Sequence, residues 1–203
     1  MSYRGRGLLL GLTALIALTG FGSAQAQCLL TGDIQADLSG DPGLPMYKYT
    51  LTVEWDMDSS YGLSHLDLVT DIEGGTCGCL DFEDAITVPA IGGTSTGEGG
   101  CTVEYETFLE CSGDPSIPGV TGILYKFEPI EVDGCEPGPT GTGSFCFYSD
   151  LAPVPVDEEF LALVDKAGLT SCAGTITGVF PGMDCDPVPA TIYGLDHLKS
   201  LYR

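Results

Sequence analysis

From position 47 to 58 the chain reads Tyr-Lys-Tyr-Thr-Leu-Thr-Val-Glu-Trp-Asp-Met-Asp, and the alternation holds at every step. Tyr47, Tyr49, Leu51, Val53, Trp55 and Met57 share one side, and Lys48, Thr50, Thr52, Glu54, Asp56 and Asp58 share the other. A period of two held this long is the pattern of a β-strand with one dry face and one wet face. Such a strand is not stable alone, so a further layer of structure must cover the aromatic side.

Shorter stretches repeat the pattern. Residues 29–36 predict a first edge strand. Residues 63–72 predict a strand paired with 47–58 in a hairpin through Ser59-Ser60-Tyr61-Gly62; Leu66, Leu68, Thr70 and Ile72 oppose His65, Asp67, Val69 and Asp71. Further strands are predicted in 101–111, 123–127, 143–148 and 175–179, with a short one at 86–89 ended by Pro89. Residues 156–168 read either as a helix or as a strand, and the neighbouring strands favour the strand. The glycine-rich segments 73–79, 92–100 and 133–143 read as loops. Seven to nine short strands with Gly/Pro turns and no crossover helix predict an all-β fold, an antiparallel two-sheet β-sandwich with immunoglobulin-like and jelly-roll topologies both open. After Pro187 and Pro189, Ile192, Leu195, Leu198 and Tyr202 recur at helical spacing, predicting a short amphipathic C-terminal tail. The domain organisation read from this is 1–26, 27–186 and 187–203.

Residues 1–26 have the three parts of an export signal: Arg4 and Arg6, an apolar run over 8–21, and Ala24-Gln25-Ala26 as the cleavage site. The expected location is secreted, periplasmic or at the cell surface. No later apolar run has the length of a membrane span. The chain carries 29 acidic residues against seven Lys and Arg. A body this acidic offers no basic patch for a nucleic-acid backbone. Nine cysteines follow the signal: Cys28, Cys77, Cys79, Cys101, Cys111, Cys135, Cys146, Cys172 and Cys185. In an exported chain they are disulfide candidates, and the odd count leaves one thiol over. Proximity suggests Cys135 with Cys146 and Cys172 with Cys185. Zinc is the competing reading of Cys77-Gly78-Cys79, with only His65 and His197 to add.

The residues with chemical potential each have a bland reading beside the sharp one. Ser64, His65 and Asp67 are the only Ser/His/Asp cluster, but neighbours on a strand point to opposite faces, which a catalytic triad does not tolerate. His65 is expected instead to hydrogen-bond a neighbouring turn. Trp55 reads as core. Asp56, Asp58, Asp71 and Glu73 are the calcium candidates, although no complete calcium loop accompanies them. Calcium is the one cofactor candidate. A carboxylate pair facing across a cleft would suit hydrolysis, and acids this numerous supply many pairs.

The strand carrying Tyr49, Leu51 and Val53, the Leu63-Ser64-His65-Leu66-Asp67-Leu68 stretch and the closing Gly174-Thr175-Ile176-Thr177-Gly178 together resemble an uncharacterised group of secreted bacterial β-domains. The tail, with Tyr193-Gly194, Lys199 and Leu201-Tyr202-Arg203, resembles the C-terminal segments of exported proteins. The resemblance implies a secreted or cell-surface β-sandwich with no assigned activity. The expected function is a non-enzymatic structural or binding domain whose partners are surface or matrix proteins or a second copy of the chain. Two alternatives stand beside it: a calcium-dependent adhesion or carbohydrate-binding module, and a secreted hydrolase using a carboxylate pair.

Overall fold

The computed structural model describes residues 28–70, 77–117, 120–156, 159–165 and 171–183. Its strands, in chain order, are β1 (Cys28–Leu38), β2 (Tyr47–Met57), β3 (Leu63–Val69), β4 (Gly93–Thr96), β5 (Thr102–Glu110), β6 (Leu124–Pro129), β7 (Thr140–Ser149), β8 (Pro153–Pro155), β9 (Glu159–Asp165) and β10 (Ser171–Pro181). One helix, α1 (Cys79–Ala85), precedes β4. Among the described residues no helix is long and apolar enough to cross a membrane.

All ten strands belong to a single sheet in the order β1-β2-β7-β4-β5-β6-β3-β9-β10-β8. A short parallel pairing of β1 with β10, from Thr31 opposite Thr175 to Ile34 opposite Gly178, joins the first strand of that order to the last long one. The result is a curled, barrel-like sheet, not the two stacked sheets expected from the sequence. Alternation shows only that one face of a strand is dry; it does not say whether another sheet or the far side of the same sheet covers it. Close approach along the β1–β10 seam requires glycine. A Cβ on Gly178, whose φ is +111°, would lie 2.0 Å from the Ile34 carbonyl oxygen.

The curl seals the aromatic side of β2: Tyr49, Leu51, Val53, Trp55 and Met57 are all buried. Tyr49 stacks on Phe147 with ring centres 5.2 Å apart, and Tyr105 meets Phe145 edge-on at 5.1 Å. The polar tips inside this core have partners. Tyr49 donates to the Leu151 carbonyl at 2.7 Å, Tyr125 to that of Phe82 at 3.1 Å and Trp55 to that of Gly138 at 3.2 Å. The Tyr105 hydroxyl lies 2.9 Å from Ser95 Oγ. A buried ring with a satisfied polar end contributes its full apolar area without an orphaned donor.

Several local expectations change. The 47–58 and 63–72 strands do not form a hairpin: β2 pairs with β1 and β7, while β3 pairs with β6 and β9. The first strand is not an edge, because β2 and β10 flank it. The glycine-rich 92–100 segment holds β4, an interior strand between β5 and β7. Glycine suits β4 because a Cβ on Gly93 would lie 2.3 Å from the Phe145 ring. The ambiguous 156–168 segment does contain a strand, β9. The 187–203 tail lies outside the described residues.

The disulfides join distant parts of the chain: Cys28 with Cys172, Cys79 with Cys111 and Cys101 with Cys135. Cys77 is disulfide-bonded as well. The local bridges suggested by proximity, Cys135–Cys146 and Cys172–Cys185, are therefore replaced by long-range ones. Among the described residues Cys146 is the free cysteine. It is half-buried on β7, and burial pushes its thiol pKa up, so little reactive thiolate forms at neutral pH.

Candidate metal centre

Strand β3 is buried on both faces, which is unusual in a sheet that encloses its core on one side only. Leu66 and Leu68 point inward with Tyr125 and Phe127 of β6, which lie opposite them in register. His65, Asp67 and Val69 therefore point outward, level with Lys126 and Leu124 of β6. They are nonetheless buried: His65 is 4% exposed, Asp67 0% and Val69 5%.

The cover is the connection between β5 and β6. The Cys79–Cys111 disulfide fixes its start to α1. Its base is closed by Gly113 N–H donating to the Gly122 carbonyl at 2.7 Å. Thr70 donates to the Ile123 carbonyl from both N–H, at 2.9 Å, and Oγ1, at 3.0 Å. Gly113 has φ +79°, and a Cβ there would lie 2.3 Å from the Val120 carbonyl oxygen, so the tight neck of this roof needs glycine. Ile117 and Val120 form a small apolar cluster apart from the main core.

The roof carries Asp114 and Ser116 down onto the outer face of β3. Ser116 donates to Asp114 Oδ1 twice, from its backbone N–H at 2.7 Å and from its hydroxyl at 2.5 Å, which fixes the carboxylate. Asp114 Oδ2 then lies 3.0 Å from His65 Nε2 and 3.1 Å from Lys126 Nζ, yet makes no aligned hydrogen bond. Lys126 also reaches Glu128 Oε1 at 2.9 Å. Asp67 accepts nothing: both of its carboxylate oxygens are buried without a hydrogen-bond partner. One ligand atom each from His65, Asp67 and Asp114 can be chosen so that all three lie within 4.8 Å of one another.

Burial drives the electrostatics. It pushes the Asp67 carboxyl up from 3.8 to about 8, with the Asp114 charge adding to the rise and Lys126 opposing it. Burial and then the Lys126 charge hold His65 below the ordinary imidazole value, which favours the neutral ring, the form that can ligate a metal. For Asp114 burial acts upward, but the Ser116 hydrogen bonds and the Lys126 ammonium outweigh it and keep the carboxyl low. Lys126 is raised, because Glu128 and Asp114 outweigh its desolvation. Metal-free, the centre thus contains one carboxylate, one ammonium, a neutral imidazole and a carboxyl that holds its proton.

A Ser-His-Asp relay is not what has formed. Ser116 Oγ, at 3.2 Å, and Asp114 Oδ2 both approach Nε2 of His65, whereas a relay places nucleophile and acid on opposite nitrogens. Nδ1 has only Ser64 Oγ, at 3.4 Å.

The calcium candidates do not build this centre. Asp56 and Asp58 are exposed at the end of β2, and Asp71 and Glu73 lie outside the described residues. His65 and Asp67 share a face, as their spacing implied, but the bland role expected of His65 understated it. The expectation of a non-enzymatic structural domain is corrected on the same ground: a buried His/Asp/Asp set able to hold a metal ion is a chemical site. Asp114, Ser116 and Lys126 escaped the sequence reading. Two signals were there: Asp114-Pro115-Ser116 is an aspartate-led turn, and Lys126 is a rare cation set between Tyr125 and Phe127. Compared with models of protein families, with curated proteins and with solved structures, the chain finds no match.

Proposed function

We propose that this is an exported divalent-metal-binding domain whose ion is held by His65 and by one carboxylate oxygen each from Asp67 and Asp114. The observation that carries the reading is Asp67, fully buried with neither oxygen hydrogen-bonded. A carboxyl placed so deep without a donor is costly unless a proton or a cation compensates it. The ligand set favours a transition-series ion. One imidazole nitrogen and two carboxylates suit Zn²⁺ or Mn²⁺, whereas calcium prefers six to eight oxygens. Ligand atoms around a tetrahedral zinc stand roughly 3.3 Å apart, so the three groups, within 4.8 Å of one another here, must draw closer as an ion binds. The 1–26 export signal and the long-range disulfides support an oxidising, extracytoplasmic setting.

A second reading, metal-assisted hydrolysis, is favoured by one feature of the set. Three protein ligands leave a position for water, as catalytic zinc sites do, and Ser116 and Lys126 stand beside it.

Thermal unfolding of chelator-treated protein with Zn²⁺, Mn²⁺, Ca²⁺ or Mg²⁺ added tests the main reading. At a hundredfold excess over Kd the ion should stabilise by about 2.7 kcal/mol. Zn²⁺ or Mn²⁺ should raise the Tm, Ca²⁺ and Mg²⁺ should not, and Asp67→Ala should abolish the rise. A wild-type Tm indifferent to every ion overturns the reading. Chelator-sensitive turnover of ester or phosphoester substrates would support the second.

A further inference from the structure

Resting on the metal reading, we infer that Lys126 is a built-in competitor for the centre: its ammonium occupies Asp114 in the metal-free protein and must give way for the ion to bind. Lys126 Nζ lies 3.1 Å from Oδ2 of Asp114, the oxygen turned toward His65 Nε2. Lys126 also stands directly across the β3–β6 ladder from Asp67, so one cation faces two of the three ligands. Ser116 occupies Oδ1 with two hydrogen bonds, which leaves Oδ2 as the oxygen offered to a cation.

The same ammonium already has a second carboxylate in contact, which can keep it paired when Asp114 is given up. Glu128 Oε1 holds Nζ at 2.9 Å from a side chain that is 41% exposed, compared with 2% for Asp114. Lys126 itself is 18% exposed, so a small swing toward Glu128 carries its charge outward and not through the core. The ammonium and a divalent ion cannot share Oδ2 without strong repulsion at this separation. Metal affinity is therefore set below what the three ligands alone would give, and the centre fills only where the ion is abundant enough to displace the lysine.

The test is calorimetric titration of Zn²⁺ and of Mn²⁺ into the chelator-treated, disulfide-intact chain, in wild type, Lys126→Met and Lys126→Arg. Met keeps the length and apolar stem of Lys without its charge, while Arg keeps the charge. Lys126→Met is expected to bind about tenfold or more tightly than wild type, and Lys126→Arg to bind no more tightly than wild type. Equal or weaker binding by Lys126→Met, with wild type binding normally, overturns the competitor and leaves the metal reading standing. Binding by Lys126→Met alone keeps the competitor and overturns the metal reading for the native chain. No binding by any of the three, each checked for native circular dichroism, overturns both.

Discussion

Strand β3 separates two kinds of interior. Its inward residues, Leu66 and Leu68, join a core built of Tyr49, Trp55, Phe145, Phe147 and other apolar side chains. Its outward residues, His65 and Asp67, join a polar chamber roofed by a single connection. The inner face is sealed by the curl of nine strands, from β1 round to β10, so many contacts share the work of excluding water. The outer chamber is sealed by one segment held at its neck by a disulfide and a few backbone hydrogen bonds. In the core every bulky polar tip named above has a partner; in the chamber Asp67 has none. The contrast separates a region that stabilises from a region kept ready for a ligand.

The largest expected effect breaks the inner side. Phe145→Ala, at a fully buried ring that packs against Tyr105 and Phe127, should cost about 3–5 kcal/mol in urea unfolding. Because Phe145 lies on the enclosed face, metal affinity in the folded fraction should be nearly unchanged.

Freeing the roof comes next. Replacing Cys79 and Cys111 together by Ser removes the bridge at its start and should cost about 2–4 kcal/mol. Here metal affinity should fall too, measured by the same titration. Removing the Cys101–Cys135 bridge, which does not anchor the roof, should lower stability and spare affinity. Equal losses of affinity in the two variants would mean that the roof does not form the centre.

The effect sharpest in sign belongs to Asp67→Asn in the metal-free protein. The folded carboxyl sits at about 8 and the unfolded one near 3.8. Its contribution to stability is complete below the unfolded value, declines as pH rises between the two, and is lost above about 8. Wild type should therefore lose stability from pH 4 to 9, and the variant should lose less. At pH 9 Asp67→Asn should be the more stable protein by chemical unfolding, while with Zn²⁺ present the order should reverse. A wild-type profile as flat as that of the variant would show that Asp67 is not held neutral.

Much of the architecture was legible because strands announce themselves by period. The alternation in β2, β5 and β7 marks inward residues one by one, and Tyr49, Val53, Trp55, Val103, Tyr105, Phe145 and Phe147 are all buried. The reading of β4 as a loop has an identifiable cause. Glycine signals flexibility locally, but at Gly93 its lack of a side chain makes room for Phe145, a ring more than fifty residues away. The centre was half legible. His65 and Asp67 sit two apart on one strand, but their alternation placed them on the face expected to be wet.

Composition and local pattern by themselves determined the acidic character, the all-β class and the dry face of β2, because each depends on residue types or on their fixed short spacings. Tertiary structure alone decided that the sheet curls on itself, which cysteines join, and that Asp114, Ser116 and Lys126 meet His65 and Asp67. Those outcomes depend on partners 32 to 144 residues apart for the bridges to Cys79, Cys101 and Cys28, and 51 for Ser116 with His65. Contacts across such distances are set by which strand lies beside which, and a repeat of two is silent on strand order.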